Sequence, residues 1–356
     1  MIVVDAHQDI AYNRACFGRD YRMSALKKRL IEAQAGHTYP AATLGLPEAL
    51  AGRIAIVFAT LFVAPKNAQN WTPEWREEEY ETPHEAYELA LRQWDYYQQL
   101  TDESDQLRLI RNQADLTTTL DTWGADKTVK DRRQGLVILM EGADPILEPR
   151  QFEEWYERGV RIVGLAWNQT RYSGGTGAPG KLSALGEELL EVMGSFNALL
   201  DLSHSSELAF YQSLDRYTGP IIASHSNPRR FRDTDRHLSD DMIRRLAERD
   251  GVMGIVPYNR FLSPTWQKGD PKSSVPLTVM LDAIDHVCQV TGSADHVGIG
   301  SDLDGGFGYQ SIPYEMDTVA DLWRVGEGLR GRGYPEASIE AVMGGNMLRK
   351  LRECLK

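Results

Sequence analysis

Cysteine is scarce in this chain: Cys16, Cys288 and Cys354 are the only three among 356 residues. Their number is odd, and their spacing matches neither a zinc ribbon nor a Cys-x-x-Cys redox pair. A disulfide framework is therefore excluded, and free thiols in a reducing compartment are expected. Long apolar runs are missing too. None approaches the ~20 residues of a membrane span, and no basic leader with a cleavage site precedes the first apolar run. The expected location is cytoplasmic, with no membrane partner. Positive charge is also in deficit, since 39 Lys and Arg against 51 Asp and Glu give a formal net charge of −12. Nucleic-acid binders carry a basic face, so a small molecule is the expected partner.

What is present is an ordinary globular composition, 42% apolar and 25% charged, with no low-complexity linker or repeated segment. Short apolar runs bounded by turn signals occur at residues 2–5, 54–62 ("IAIVFATLF"), 136–140, 161–166, 198–202, 220–223, 252–256 and 296–300. They read as continuous rather than alternating, the pattern of strands buried on both faces. Segments of helical period lie between them, among them 84–100, 148–159, 183–197, 239–251 and 276–292. In the fourth of these Ser239 is placed as an N-cap and Gly251 as a C-cap. This alternation predicts one α/β domain over residues 1–356, a (β/α)8 TIM barrel. Residues 67–82, rich in Trp and Glu and including Trp71 and Trp75, are expected to form a lid-like insertion after the second strand.

In such a barrel the active site is built where the strands end. The first run leads into His7 and Asp9 of "VVDAHQD". Two residues apart in an extended strand, they project from one face about 7 Å apart. The third run ends in Glu141, the fifth in His204 of "DLSHSS", the sixth in His225 of "ASHSNP" and the eighth in Asp302 of "GIGSDLDG". Any one of these is unremarkable as a structural residue; their joint placement at one mouth points to a site. Three neutral imidazoles and two carboxylates suit zinc or a similar borderline metal. One carboxylate can bridge two ions, and Asp302 is then left to move a proton between an activated water and a leaving amine.

The pattern resembles the renal or membrane dipeptidases, a branch of the amidohydrolase superfamily with a (β/α)8 barrel and a binuclear zinc centre. The resemblance implies that His7 and Asp9 of "DAHQD" bind a first zinc, Glu141 of "EGAD" bridges, His204 and His225 bind a second zinc, and Asp302 is the general acid/base. Arg236 of "RHLSDD", eleven residues after His225, lies where the family keeps an arginine for the substrate carboxylate; the plainer reading is one more loop arginine beside Arg229, Arg230 and Arg232. The segment "GGNMLR" near the C-terminus also resembles a family segment and looks structural. One position departs. Vertebrate-type members carry a histidine after the fourth strand that contacts the scissile carbonyl, and here "GLAWNQT" has Trp167. If Trp167 faces the pocket, as a wall of the side-chain subsite, polarisation falls to the metal or to Asn168.

"GTGAPGKL", residues 175–182, fits seven positions of the phosphate-binding P-loop but has Leu182 where Ser or Thr would bind magnesium. A strand-to-helix loop at the barrel mouth is the reading preferred over a nucleotide site. The expected function is hydrolysis of the amide bond of a small dipeptide-like substrate with a free carboxylate, by attack of a hydroxide held between two divalent ions, zinc being the expected metal. The alternatives are another amidohydrolase substrate (an N-acyl amino acid, lactam or lactone) or a non-catalytic metal-binding barrel. A homodimer is left open.

Overall fold

The computed structural model describes residues 1–37, 41–66 and 78–355. All eight apolar runs form strands: β1 (Val3–Gln8), β2 (Ile54–Phe62), β3 (Gln134–Glu141), β4 (Val160–Gly164), β5 (Leu199–Asp201), β6 (Ile221–Ala223), β7 (Val252–Ile255) and β8 (Val297–Ile299). Every residue of these strands is buried, which is why the runs lack polar alternation. The strands pair in parallel in the order β2-β1-β8-β7-β6-β5-β4-β3, and β3 pairs again with β2 from Ile56↔Gly135 to Phe62↔Glu141. That last pairing closes the sheet into a TIM barrel. A three-residue strand, Leu107–Leu109, adds to the first residues of β3; it is too short to stand out as an apolar run.

The helices start where side chains can take the free N–H groups of the first turn. Thr82 and Glu85 form a reciprocal capping box on Pro83–Asp102 with proline in the first turn. Ser183, Ser206 and Ser239 cap Ala184–Ser195, Glu207–Arg216 and Asp240–Glu248. Gly251 is not the C-cap: that helix ends at Glu248, and the left-handed turn falls on Asp250, with φ 56°. The "GGNMLR" segment spans a π-helical turn (Ala341–Gly345) and the helix Asn346–Cys354. Gly344 lies against the backbone of Val4 and Ile2, and Asn346 donates to the carbonyls of Ala294 and Val297. It closes the barrel bottom.

Residues 175–182 lead into the helix Ala184–Ser195, as the strand-to-helix reading expects, but as a hairpin: Ser173–Gly175 and Ala178–Leu182 pair antiparallel, with Gly177 at φ 70° in the turn. A paired strand rather than a free glycine-rich loop therefore precedes the helix, and the backbone is not arranged as a phosphate-binding P-loop. Of the 67–82 insertion, residues 67–77, with Trp71 and Trp75, lie outside the described residues; Glu79–Tyr80 pairs with Ala64–Pro65. Among the described residues no helix is long and apolar enough to cross a membrane.

Candidate metal centre

The barrel gathers all six ionisable groups at one mouth. His7 is the fifth residue of β1 and fully buried, Glu141 is the last residue of β3, and His204, His225 and Asp302 follow β5, β6 and β8 within three residues. His204 and Asp302 hold left-handed backbone, φ 56° and 52°. Such backbone is disfavoured for side chains other than glycine, and it persists only where the surroundings impose it. Glycines make room for this: a Cβ on Gly300 would lie 1.8 Å from the carbonyl oxygen of Ser224, and one on Gly254 1.9 Å from the same atom. β7 and β8 can thus crowd the strand end that presents His225.

Glu141 divides the site into two halves. Its Oε2 lies 3.3 Å from His7 Nε2, and its Oε1 lies 3.1 Å from His204 Nε2 and 3.4 Å from His225 Nε2. Asp9 Oδ1 and Asp302 Oδ1 stand 3.7 Å and 4.0 Å from His7 Nε2. Three groups could each hold an ion: His7, Asp9 and Glu141; Glu141, His204 and His225; and His7, His225 and Asp302. The first two share only the glutamate, one oxygen each. His7 Nε2 is buried with no hydrogen-bond partner among the described residues. A buried nitrogen aimed at carboxylates but bonded to none fits a cation between them.

The outer nitrogens of the rings are also held. His204 Nδ1 lies 3.1 Å from Thr176 Oγ1 on the hairpin, and His225 Nδ1 lies 2.8 Å from Ser224 Oγ. Ser224 Oγ donates to Asp201 Oδ2 at 2.5 Å, so its lone pair faces His225 and places that ring's proton on Nδ1. The Nε2 lone pair is then free to ligate. Asp201 also accepts from the backbone N–H groups of Ser203 and Ser224. Under β1, Asp5 accepts from Ser301 and Gln8 side chains, tying β1 to β8. Thr60 Oγ1 donates to Asp9 Oδ1 at 2.5 Å.

Charge and burial set the protonation of the ion-free site. Burial opposes charge on Glu141, yet the three histidines hold it well below the usual carboxylate range. Burial likewise disfavours a proton on His7, but Glu141 and Asp9 win and raise it well above an ordinary histidine. His204 is lowered to about 4 by burial and then by Arg236, and His225 is lowered well below its usual value by burial, His7 and Arg236. Asp302 is raised well above the usual carboxylate range, chiefly by burial.

These groups open into a cavity of about 510 Å³ that is lined also by Arg236, Trp167, Tyr12 and Phe62. Arg236 is buried; its Nη2 donates to His225 O at 2.6 Å and its Nη1 to Ser226 Oγ at 3.2 Å. Trp167 stands on the wall, its ring centroid 6.0 Å from that of His204 and 5.2 Å from that of Phe62. Asn168 is turned away into the hairpin, where its Nδ2 donates to Thr176 O and its Oδ1 accepts from Gln169 N.

The sequence reading missed Asp5, Asp201, Ser224, Thr176 and His237. Asp5 and Asp201 carried a signal, since a carboxylate inside a strand buried on both faces needs partners. Thr176 and His237 carried none, because only the fold brings their loops to the mouth.

A model of "Membrane dipeptidase (Peptidase family M19)" matches residues 1–355. A Klebsiella pneumoniae protein, described as an uncharacterized protein in the pqqA 5' region, is 30% identical over 265 residues, 72% of this chain and 92% of that protein. The uncharacterized dipeptidase C3A11.10c of Schizosaccharomyces pombe is 30% identical over 206 residues, 56% of this chain and about half, 48%, of that protein. Among solved structures, a metallo peptidase from Rhodobacter sphaeroides, liganded with a phosphinate mimic of the dipeptide L-Ala-D-Ala, superposes with a TM-score of 0.79 at 20% identity, covering 99% of each chain. With a family model spanning nearly its whole length, the chain belongs to the membrane dipeptidase family, peptidase family M19.

Proposed function

We propose that this chain is a metal-dependent dipeptidase, with two divalent ions, zinc by the chemistry of the donor set, held on either side of Glu141. The observation that carries this is the division of the glutamate: Oε2 faces His7 at 3.3 Å, and Oε1 faces His204 at 3.1 Å and His225 at 3.4 Å. His7 and Asp9 would complete one ion's ligands, and His204 and His225 the other's. When bound, such ions supply a nucleophilic water at neutral pH and polarise the substrate carbonyl. The phosphinate complex of the Rhodobacter sphaeroides relative supports a dipeptide as substrate.

The chain's own groups then have distinct tasks. Arg236 presents its guanidinium to the cavity from a fixed position, suited to a bidentate grip on the substrate's terminal carboxylate. Asp302, at the mouth, is made more basic than an ordinary carboxylate by its burial; in its ionised form it accepts a proton from the attacking water and returns it to the leaving nitrogen. Trp167 and Phe62 wall the subsite on the hairpin side and exclude water. The second reading, an N-acyl amino acid, lactam or lactone substrate, draws on Trp167, which offers one N–H donor and no lone pair.

The test is steady-state hydrolysis of L,L and L,D dipeptides by zinc-loaded protein, with Asp302→Asn as the blank. Turnover absent in the blank supports dipeptidase chemistry. Silence across the panel with two zinc ions bound per chain overturns the dipeptide assignment in favour of other amides and esters.

A further inference from the structure

The wall of the cavity beyond the metal ligands carries more positive charge than one carboxylate needs. Arg232, Arg236 and Arg260 all line it. Among the described residues none of the three is ion-paired with a carboxylate, in a chain whose net charge is −12. Apart from Asp9, Glu141 and Asp302, one carboxylate lines the cavity, Asp235, and its Oδ2 is occupied by the backbone N–H of Gly177 at 2.8 Å.

The three guanidiniums come from neighbouring loops. Arg232 and Arg236 lie on the loop after β6, and Arg260 on the short helix Asn259–Leu262 after β7, the strand paired beside β6. Arg232 Nη1 donates to the carbonyls of Ser263 and Trp266, which locks the two loops together. The Phe261 ring, next to Arg260 on that helix, packs against the other loop, 5.5 Å from the Arg236 guanidinium carbon and with its centroid 4.6 Å from that of His237.

His237 is the second, independent sign. It lines the same cavity, is fully buried, and neither ring nitrogen has a hydrogen-bond partner among the described residues. Burial, then Arg236 and Arg232, keeps it neutral, so it offers one N–H donor. Buried polar groups left unpaired in this way mark a place where a further partner belongs.

We propose that Arg232, Arg260 and His237 form a subsite for a second carboxylate, that of an aspartyl or glutamyl side chain on the C-terminal residue of the dipeptide. This rests on the dipeptidase reading above, with Arg236 gripping the α-carboxylate. An aspartyl or glutamyl residue carries its two carboxylates one or two methylenes beyond a common carbon, a spacing that adjacent guanidiniums on one wall can serve. Each guanidinium offers a planar fork of donors, and the neutral imidazole adds a directed N–H to the same anion. The subsite determines specificity and takes no part in bond breaking.

The experiment compares kcat/KM of the zinc-loaded full chain for alanyl-aspartate against alanyl-asparagine, and alanyl-glutamate against alanyl-glutamine, with L or D configuration at the second residue and alanyl-alanine as reference. These pairs are close to isosteric and differ in charge. The expected result is a preference for the acid of about tenfold or more, carried mainly in KM. Arg260→Glu, at an exposed position that folding tolerates, should reduce that ratio to one or below and raise the relative rate on alanyl-lysine. His237→Phe should lower the acid-to-amide ratio as well. Turnover of alanyl-alanine with equal rates on acid and amide overturns the subsite while leaving the dipeptidase reading in place. Failure on every dipeptide overturns the dipeptidase reading and this subsite with it.

Discussion

His204 and His225 bring their Nε2 atoms to within 3.0 Å of each other, and both face the same oxygen of Glu141. Two imidazole nitrogens this close repel when both present lone pairs. With Ser224 fixing the proton of His225 on Nδ1 and Thr176 beside Nδ1 of His204, both Nε2 atoms are available as ligands, and a cation between them and the carboxylate resolves the conflict.

Replacing Asp302 with Asn removes the group assigned to proton transfer but keeps its size. We expect kcat to fall by about 10²–10⁴ while zinc per chain stays at the wild-type value. Metal analysis alongside kinetics decides this: an equal loss of metal and rate would make Asp302 a ligand instead.

Ser224→Ala severs the link from Asp201 to His225. The imidazole then loses the partner that orients it, and metal affinity should drop by about 10–100-fold. Isothermal titration of chelator-treated protein measures it. Ser224→Thr, which keeps the hydroxyl, should lie closer to wild type.

Acidification should empty the two halves in sequence. In the ion-free protein His7 is raised well above an ordinary histidine, so near neutrality an ion entering the His7–Asp9–Glu141 half must expel a proton, and affinity there falls about tenfold per pH unit below that pKa. His204, lowered to about 4, is already neutral and sets no such competition above that pH. Equilibrium dialysis from pH 8 to pH 5.5 should show stoichiometry falling from two ions to one; parallel loss from both halves would contradict it.

Gly300→Ala places a Cβ 1.8 Å from the carbonyl oxygen of Ser224. Backbone must move on β8 or β6, and we expect destabilisation of at least about 3 kcal/mol. Thermal unfolding of the zinc-loaded protein should show a lowered Tm, and the same scan after chelation should show less difference between variant and wild type, because the strand end that presents His225 is the part disturbed.

Much of this was legible in the chain itself. Burial on both faces writes each barrel strand as an unbroken apolar run, and the rule that parallel barrels carry chemistry at strand ends singled out His7, Asp9, Glu141, His204, His225 and Asp302 from their positions alone. Those are local properties, since a residue just past a strand lies at the mouth whatever its neighbours are. Tertiary structure decided the rest. Which oxygen of Glu141 faces which histidine depends on the register of β3 against β2, strands tens of residues apart in the chain. The Asp5–Ser301 contact joins residues 296 apart, and the hairpin threonine, the buried His237 and the three arginines meet only because closure packs their loops side by side. Hydrogen-bond register and loop packing are pairwise facts between distant segments, and no single segment of sequence contains them.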